Sequence, residues 1–478
     1  MRLEPFDNGC FNIKAHGADA SISDNTGAIQ ACIDAASVTG GGRVVVPPGE
    51  FRCGTLHLRD GVELHLARGA VLQAIERADA FPAIPPAEPS RMDEHAAKAY
   101  IYATHCRDVA VTGSGCIECG GDAADFATGL SNDPRRPYGL HFVACQGVRV
   151  EDVNLRNAAF WMLRLFHCDQ VKVRGVTIFN HCNLNNDGLD LDGCRDAIVS
   201  DCAIDSSDDA LCIKSEGARE SRDVVVVNCL LSSHASAIKI GTGSIGGFRR
   251  VVVSNCVVHP SRSEHSFHER GMLSGLGGIN LATVDGGAME DVVVSGIHIH
   301  GVESPIFVRL GQRLNRRLNI KDGRAPEYPW HDAPEKVPGV ASGITLRDIT
   351  AEGCGPVASS ITACEGSWLE RVRLSNIRLR PTRIPAGVAD ATVSDLPTSY
   401  PKPAMFGTDL PACGLFVRGV RDLIVDDLQV DAPEGDNRPA LVLERVSDVL
   451  LRRLRGLCHA LEGRVRQGPG CVDLSVEQ

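Results

Sequence analysis

VRVEDVNL (148–155), VKVRGVTI (171–178), AIVSDCAI (197–204), VVVVNCLL (224–231) and VVVSNCVV (251–258) are five forms of one phrase. Five more follow: VVVSGIHI (292–299), ITLRDITA (344–351), VRLSNIRL (372–379), LIVDDLQV (423–430) and VLLRRLRG (449–456). Apolar and polar residues alternate in each, the period of a half-buried strand. Each phrase then breaks at Gly, Asn or Asp and leads to another short strand such as LCIK or AIKIG. Successive phrases start 23, 26, 27, 27, 41, 52, 28, 51 and 26 residues apart. The basic period is therefore 23–28, and each longer interval is one turn with a loop or else two turns. A fixed period in the twenties marks a solenoid. No LxxLxLxxN pattern is present, so leucine-rich repeats are set aside. Short strands without helices between them predict an all-β, right-handed parallel β-helix.

Such a coil leaves an open strand edge at each end that needs covering. Residues 24–38 (DNTGAIQACIDAASV) supply a cover at the start. Asp24 or Asn25 can cap a helix there, and Ile29, Cys32, Ile33 and Ala36 make its apolar face. The expected organisation is a single β-helix domain over 1–478, with the first strand and capping helix in 11–46. Coils follow in 47–456 and a C-terminal cap or tail in 457–478. Loops at 259–277, 311–343 and 383–412 fall outside the period and are expected to wall a cleft.

At 478 residues the chain can bury a large core, and repeats let it grow by stacking rather than by adding domains. A mean hydropathy of −0.04, 5% aromatics and 49 glycines suit short strands and tight turns. The net charge of −11 argues against nucleic acid and gives no long-range pull on a polyanion. An acidic substrate must then be held by local Arg and Lys. No apolar run approaches a membrane span. The start, MRLEPFDNGCFNIKAHG, has neither a basic nor an apolar leader segment, which predicts a cytoplasmic protein. The nineteen cysteines read as buried reduced thiols, with Cys202, Cys229 and Cys256 at one repeat position. No cysteine spacing suits zinc.

Between Asn185 and Lys214 the chain reads NNDGLDLDG…SSDDALCIK, which packs Asp187, Asp190, Asp192, Asp208 and Asp209 around two strands one repeat apart. Asp187 stands two residues before Leu189, and Asp209 two before Leu211. If those strands stack in register, the two carboxylates lie about 4.8 Å apart, with Asp208 beside them. Three crowded acids are costly in a structural wall. Cleaving a glycoside by direct water attack needs one acid for the leaving oxygen and one base for the water. Like charges crowded together push one carboxyl's pKa upward, so such a cluster can hold both forms. One strand spacing lies near the short separation of retaining enzymes, so spacing alone leaves the stereochemistry open.

Aligning the second strand of each turn places Leu189, Leu211, Ile238 and Val308 in one inward column. Asp190, Cys212, Lys239 and Arg309 then share the outward column beside it, followed by Asp192, Lys214, Gly241 and Gly311. Lys214, Lys239 and Arg309 would form a basic strip able to hold a uronate. His234 is either a substrate contact or a turn histidine. His265, His268, Glu269, Arg270, Tyr328 and Trp330 sit in loops that can line the cleft.

These residues resemble glycoside hydrolase family 28, the polygalacturonase family, in its bacterial exo-acting branch. Asn185-x-Asp187 and Asp208-Asp209 resemble its NTD and DD signatures. The opening FNIKAHGADASISDNTGAIQACIDAA…GGGRVVVPPGEF and the segment IFVRLGQR (306–313) resemble family segments too. The resemblance spans residues 11 to 456 and implies a right-handed parallel β-helix. It implies an inverting mechanism with Asp208 as general acid and Asp187 with Asp209 activating water. It implies Arg309 as substrate-binding; Lys239 and Lys214 from the strand map, with His234 and Asn185, are the further expected substrate contacts. Two departures stand out. The family's Gly-His-Gly corresponds to HASAIKIG, with Ser236 at the His place and His234 two residues earlier. Its Arg-x-Lys becomes Arg309-Leu310-Gly311, and Lys239 or Lys214 can substitute. The expected activity is exo-acting hydrolysis of galacturonate-containing oligosaccharides, with galacturonan and rhamnogalacturonan fragments both open and no cofactor or metal. The alternatives are a calcium-dependent polysaccharide lyase, with the aspartates as oxygen ligands, and a non-catalytic carbohydrate-binding solenoid.

Overall fold

The computed structural model describes residues 9–94, 97–127, 129–130, 133–264, 275–313, 339–385, 392–407, 410–460 and 463–477. Two compact units divide the chain. The first is Met1–Cys212 with Val224–Leu230 and Arg262–His268; the second is Ile213–Asp223 with Leu231–Ser261 and Glu269–Gln478.

In the first unit three parallel ladders run side by side. One stacks Leu56–His57, Ala99–Thr104, Tyr138–Val143, Leu163–Phe166 and Leu189–Asp192. A second runs from Cys10–Asn12 through Gly42–Val46, Val62–Leu66, Ala110–Gly113, Gln146–Glu151 and Asp169–Arg174 to Arg195–Ser200. The third carries Gly49–Cys53, Ala70–Ala74, Cys116–Glu118, Asn154–Arg156, Thr177–Asn180 and Ala203–Ser206. Identical registers on successive rungs stack like on like: Ile101, Leu140, Leu163 and Leu189 form one wholly buried column. Period-two alternation sends the residues between them outward. These are coils of a right-handed parallel β-helix, the hand that parallel crossovers take.

The helix Thr26–Val38 lies against the strands Cys10–Asn12 and Gly42–Val46 and buries Ile29, Cys32, Ile33 and Ala36 completely. Of the two candidate residues, only Asp24 bonds a helix amide with its side chain. Asp24 Oδ1 accepts the Thr26 amide at 2.9 Å, while Asn25 turns back to accept from the Asp19 amide at 2.8 Å.

The second unit repeats the plan with longer strands. Phe248–Val258, Met289–His300, Ala341–Cys354, Leu369–Pro381, Leu415–Val430 and Leu441–Arg452 pair in that order. Val251 faces Val292, Val292 faces Ile344, and Val372 faces Leu423. Each long interval is therefore one turn with a loop. Beside this ladder runs Ser236–Ser244, Gly277–Thr283, Ser304–Leu310 and Ser359–Ala363. Within 457–478, Val465–Gln467 and Leu474–Glu477 add the last rungs to Leu441–Arg452.

One residue per coil explains why the phrases align. The fifth position of the ten phrases is Asp152, Gly175, Asp201, Asn228, Asn255, Gly296, Asp348, Asn376, Asp427 and Arg453, and every one has positive φ, between 50° and 64°. The chain bends there in the left-handed region, which Gly, Asn and Asp enter at least cost. At Gly175 (φ +64°) a Cβ would stand 2.3 Å from Asp152 Oδ1, so a side chain there would push the Asp152 carboxylate aside as well as strain the backbone. Neighbouring amides also bond along the stack, as Asn376 Nδ2 does to Asp348 Oδ1 at 2.8 Å. Arg453 is the exception in type, and its guanidinium is drawn to Asp426 at 2.7 Å.

All nineteen cysteines are free thiols, and fourteen are buried. Cys202, Cys229 and Cys256 each donate to the carbonyl two residues back, at 3.2, 3.3 and 3.2 Å. Cys106, Cys145, Cys168 and Cys354 do the same. The thiol is thus a small apolar filler that also quiets a turn carbonyl. Burial pushes Cys32, Cys53, Cys354 and Cys413 up to about 12.

Two outcomes are expected. Asn228 is exposed and its side chain makes only a long bond, from Nδ2 to Asp201 Oδ1 at 3.4 Å, so Asn228→Val acts mainly through the backbone and should lower the unfolding free energy in urea by about 1–2 kcal/mol. Asn228→Gly should change it far less. At pH 8 a thiol reagent should label the four raised cysteines only after denaturation, because the thiolate is the reactive form.

Candidate active site

The site grows out of two loops of the first unit, each entering a strand of the first ladder. Gly188 N–H donates to Asp209 O and Leu189 N–H to Ala210 O, both at 2.9 Å. In the parallel pattern of these coils that pairing sets Asp187 level with Asp209, one strand spacing apart. The Asp208 amide donates to Asn186 O at 3.3 Å, and the Asp209 amide donates to Asp208 Oδ1 at 3.0 Å. Asp187 and Asp209 are each 3% exposed, whereas Asp208 is only half-buried. The arrangement brings all three together on adjoining rungs. It can hold a water between two carboxylates and offer a third carboxyl to a sugar oxygen.

Three buried asparagines hold the first loop. Asn186 accepts from the Cys182 and Asn183 amides and donates to Ala158 O and Phe160 O at 2.8 and 2.9 Å. Asn180 accepts from the Ala158 amide at 2.8 Å and donates to Asp187 O at 2.9 Å. Asn183 donates to Phe126 O at 2.7 Å. Beneath them the buried Arg136 donates to the carbonyls of Leu184 and Ala159 and to Asn185 Oδ1 at 3.2 Å, with its guanidinium 4.8 Å from the Phe160 ring. Asn185, at φ +54°, therefore has its amide oxygen engaged from below. Desolvation pulls the Arg136 pKa down to about 10, against the opposing pull of Asp133. Sequence reading found Asn185 but not Arg136, whose partners lie 48 and 49 residues away in the chain.

The other two aspartates of the cluster are placed differently. Asp192 is buried and ion-paired with Arg164 at 2.7 Å, and Arg164 also donates to Ser90 Oγ and Tyr138 Oη. Asp190 is fully buried and faces Arg164 across the ladder. Asp205, which reads as a turn residue, lies 2.8 Å from His181 Nε2 and accepts the Arg262 amide at 2.9 Å. No local signal marks that link, since its ends are 24 and 57 residues away.

The basic candidates belong to the second unit. Lys239 is 5% exposed and donates to Tyr400 Oη at 3.2 Å. Lys214 and His234 are buried, and Ser236 Oγ accepts from Asn280 Nδ2 at 3.3 Å. Arg309 is 1% exposed; it donates to Thr362 Oγ1 and to the carbonyls of Asp395 and Leu396, with its guanidinium 5.5 Å from the Phe406 ring. Burial lowers its pKa, with Asp395 pulling the other way. The ladder corrects the expected column: Lys239 is level with Asn280 and Phe307, while Arg309 is level with Ala282, two residues further on. A coil at Gly277–Thr283, absent from the sequence map, lies between them. Sequence reading also gave no role to Arg313, buried in an ion pair with Asp285 and 5.9 Å from the Tyr400 ring. His265, His268, Glu269, Arg270, Tyr328 and Trp330 lie outside the described residues.

Stacked parallel coils with three aspartates on adjoining rungs are the layout of a β-helix glycosidase. The particular family is also defined: the chain belongs to the glycosyl hydrolases family 28, whose model matches residues 42–309. A probable polygalacturonase of Vitis vinifera is 29% identical over 232 residues, which is 45% of this chain and 47% of that protein. The match thus spans about half the length of that relative. An exopolygalacturonase of Thermotoga maritima has the same fold, with a TM-score of 0.63 and 21% identity over 80% of this chain and 89% of that one. A family 28 exopolygalacturonase of Yersinia enterocolitica superposes with a TM-score of 0.69 and 17% identity, covering 93% of this chain and 78% of its own.

The loop scaffold has a measurable weight. Asn186→Leu removes a group that meets two amides and two carbonyls in a buried place, and should cost on the order of 3 kcal/mol in urea unfolding.

Proposed function

We propose that this protein hydrolyses galacturonate-containing, pectic oligosaccharides from one end, with inversion at the anomeric carbon. The observation that carries this reading is the rung on which Asp187 stands level with Asp209, with Asp208 beside it. Asp208, the more exposed of the three, gives its proton to the leaving oxygen as the glycosidic bond breaks. Water held by Asp187 and Asp209 attacks the opposite face of the sugar and passes its proton to one of them. The positioned acid and base contribute about 10²–10⁴-fold each to such a step. Asn185, Lys214, His234, Lys239 and Arg309 are the proposed substrate contacts. Arg309 takes a sugar carboxylate by exchanging its bonds to the Asp395 and Leu396 carbonyls. The exopolygalacturonases that share the fold support end-wise action. The reaction draws on no cofactor.

The test is digestion of defined pectic oligosaccharides, followed by reducing-end assay, ultraviolet absorbance and NMR of the first anomer released. The expected result is one terminal sugar, inverted, with no ultraviolet-absorbing product and no loss in chelator. Unsaturated products that vanish with chelator would make the protein a lyase, and retained configuration would overturn the water mechanism. Asp208→Asn should lower kcat about 10²–10⁴-fold while oligosaccharide binding persists. Binding with no turnover by the wild type would leave a carbohydrate-binding solenoid. Lys239→Met should raise KM more than it lowers kcat if the ammonium meets a uronate.

A further inference from the structure

The two loops that carry the acids span one corner of the coil. Residues 181–188 leave the strand Thr177–Asn180 and enter Leu189–Asp192. On the next rung, residues 207–210 leave Ala203–Ser206 and enter Leu211–Ser215. The strands are paired on both sides of the corner, but the loops differ in length, so the ladders cannot run through it unbroken. Asp187 and Asp209 stand where the register resumes. Asp208 stands inside the corner, and its place depends on what joins one loop to the other.

Three links end on main-chain oxygens. The Ser207 amide donates to Asn180 O at 2.9 Å, Ser207 Oγ to Asn183 O at 3.2 Å, and the Asp208 amide to Asn186 O at 3.3 Å. A fourth joins two side chains across the mouth of both loops. His181, the first residue of one loop, lies with Nε2 2.8 Å from Asp205 Oδ1, three residues before Asp208. A carboxylate only accepts, so Nε2 carries the hydrogen. The other Asp205 oxygen takes the Arg262 amide at 2.9 Å, which holds the carboxylate on both sides. The Phe179 ring backs the imidazole at 4.8 Å. Side-chain exposure is 2% for His181 and 12% for Asp205. A bond to a carboxylate so shielded from water is short and firm.

Stripping such a pair of water is costly, and an apolar pair of like volume would fill the same space without that cost. An apolar pair has no preferred direction, however, and lets one loop slide on the other. We propose that His181 and Asp205 are a positioning pair for the hydrolysis described above, an inference that rests on the glycosidase reading. Their bond holds the loop of Asp208 against the loop of Asp187, and so sets the distance from the proton donor to the attacking water. A misplacement of about 1 Å at such a point costs on the order of a hundredfold in rate. The groups that bind the sugar stay where they are.

Variants of the whole protein test this. A glutamine amide reaches as far as the imidazole Nε2, whereas an asparagine amide reaches only as far as Nδ1. His181→Asn should lower kcat about tenfold to hundredfold with KM little changed, and His181→Gln should restore most of the loss. Asp205→Ala should cost at least as much, since it also frees the Arg262 amide. The double variant His181→Asn with Asp205→Ala should be no slower than Asp205→Ala alone, because the link is already broken. In an Asp208→Asn background, calorimetry should give the same oligosaccharide affinity with and without His181→Asn.

Asn and Gln acting alike, a rise in KM in place of a fall in kcat, or penalties that multiply would overturn the proposal. So would a variant that loses stability in urea yet keeps full kcat. If His181→Asn fails to fold, Asp205→Ala decides, and wild-type kcat there overturns the pair. If the wild type cleaves no pectic oligosaccharide, the glycosidase reading falls and the inference falls with it. If it cleaves and the variants show no such split, only the positioning role falls.

Discussion

The left-handed bend at the fifth position of each phrase is the constraint on which the rest depends. A coil can stack on the next at one strand spacing only if both turn at the same residue. Because Asp152, Gly175, Asp201 and Asn228 all bend there, each inward column holds its register across the rungs. That register puts Asp187 level with Asp209. The proposed catalytic arrangement is thus a product of backbone geometry before it is one of side chains. The asparagines and Arg136 then fix the loop so that the carboxylates keep their places.

The same stacking manages charge at two levels. Asp192 is taken out of play by Arg164 in the protein interior, where a lone carboxylate would be very costly. Asp208 remains half-buried, and the Asp209 amide holds one of its oxygens. Five aspartates crowd a short stretch of sequence, yet the fold gives them different surroundings. One is paired and one is sealed beside Arg164, while three gather on adjoining rungs.

Much of this was legible in the sequence because it is periodic. The ten phrases align in the ladders as they align in the text, and the capping helix buries the four residues its pattern marks. The pairing of Asp187 with Asp209 followed from the same count. What escaped is what periodicity cannot carry. Arg309 slipped by two residues because apolar side chains at 306, 308 and 310 look alike at either register, and a shift of two keeps every side chain on its face. The coil at Gly277–Thr283 was hidden by its glycines and its lack of a phrase. Arg136, Arg164 and His181 reach partners tens of residues away through turns, so no local pattern announces them. The segment 84–88 folds across the ladder near His141, and nothing in its proline-rich text states where it lands.

Three intervals of 41, 52 and 51 residues close as single turns, like those of 26 or 27. Lengthening a connection costs little, about 0.6 kcal/mol for each doubling, and the bend that sets the register lies elsewhere on the coil. Descent can therefore rewrite such intervals, in length and in chemistry, while the register of the coils is inherited intact.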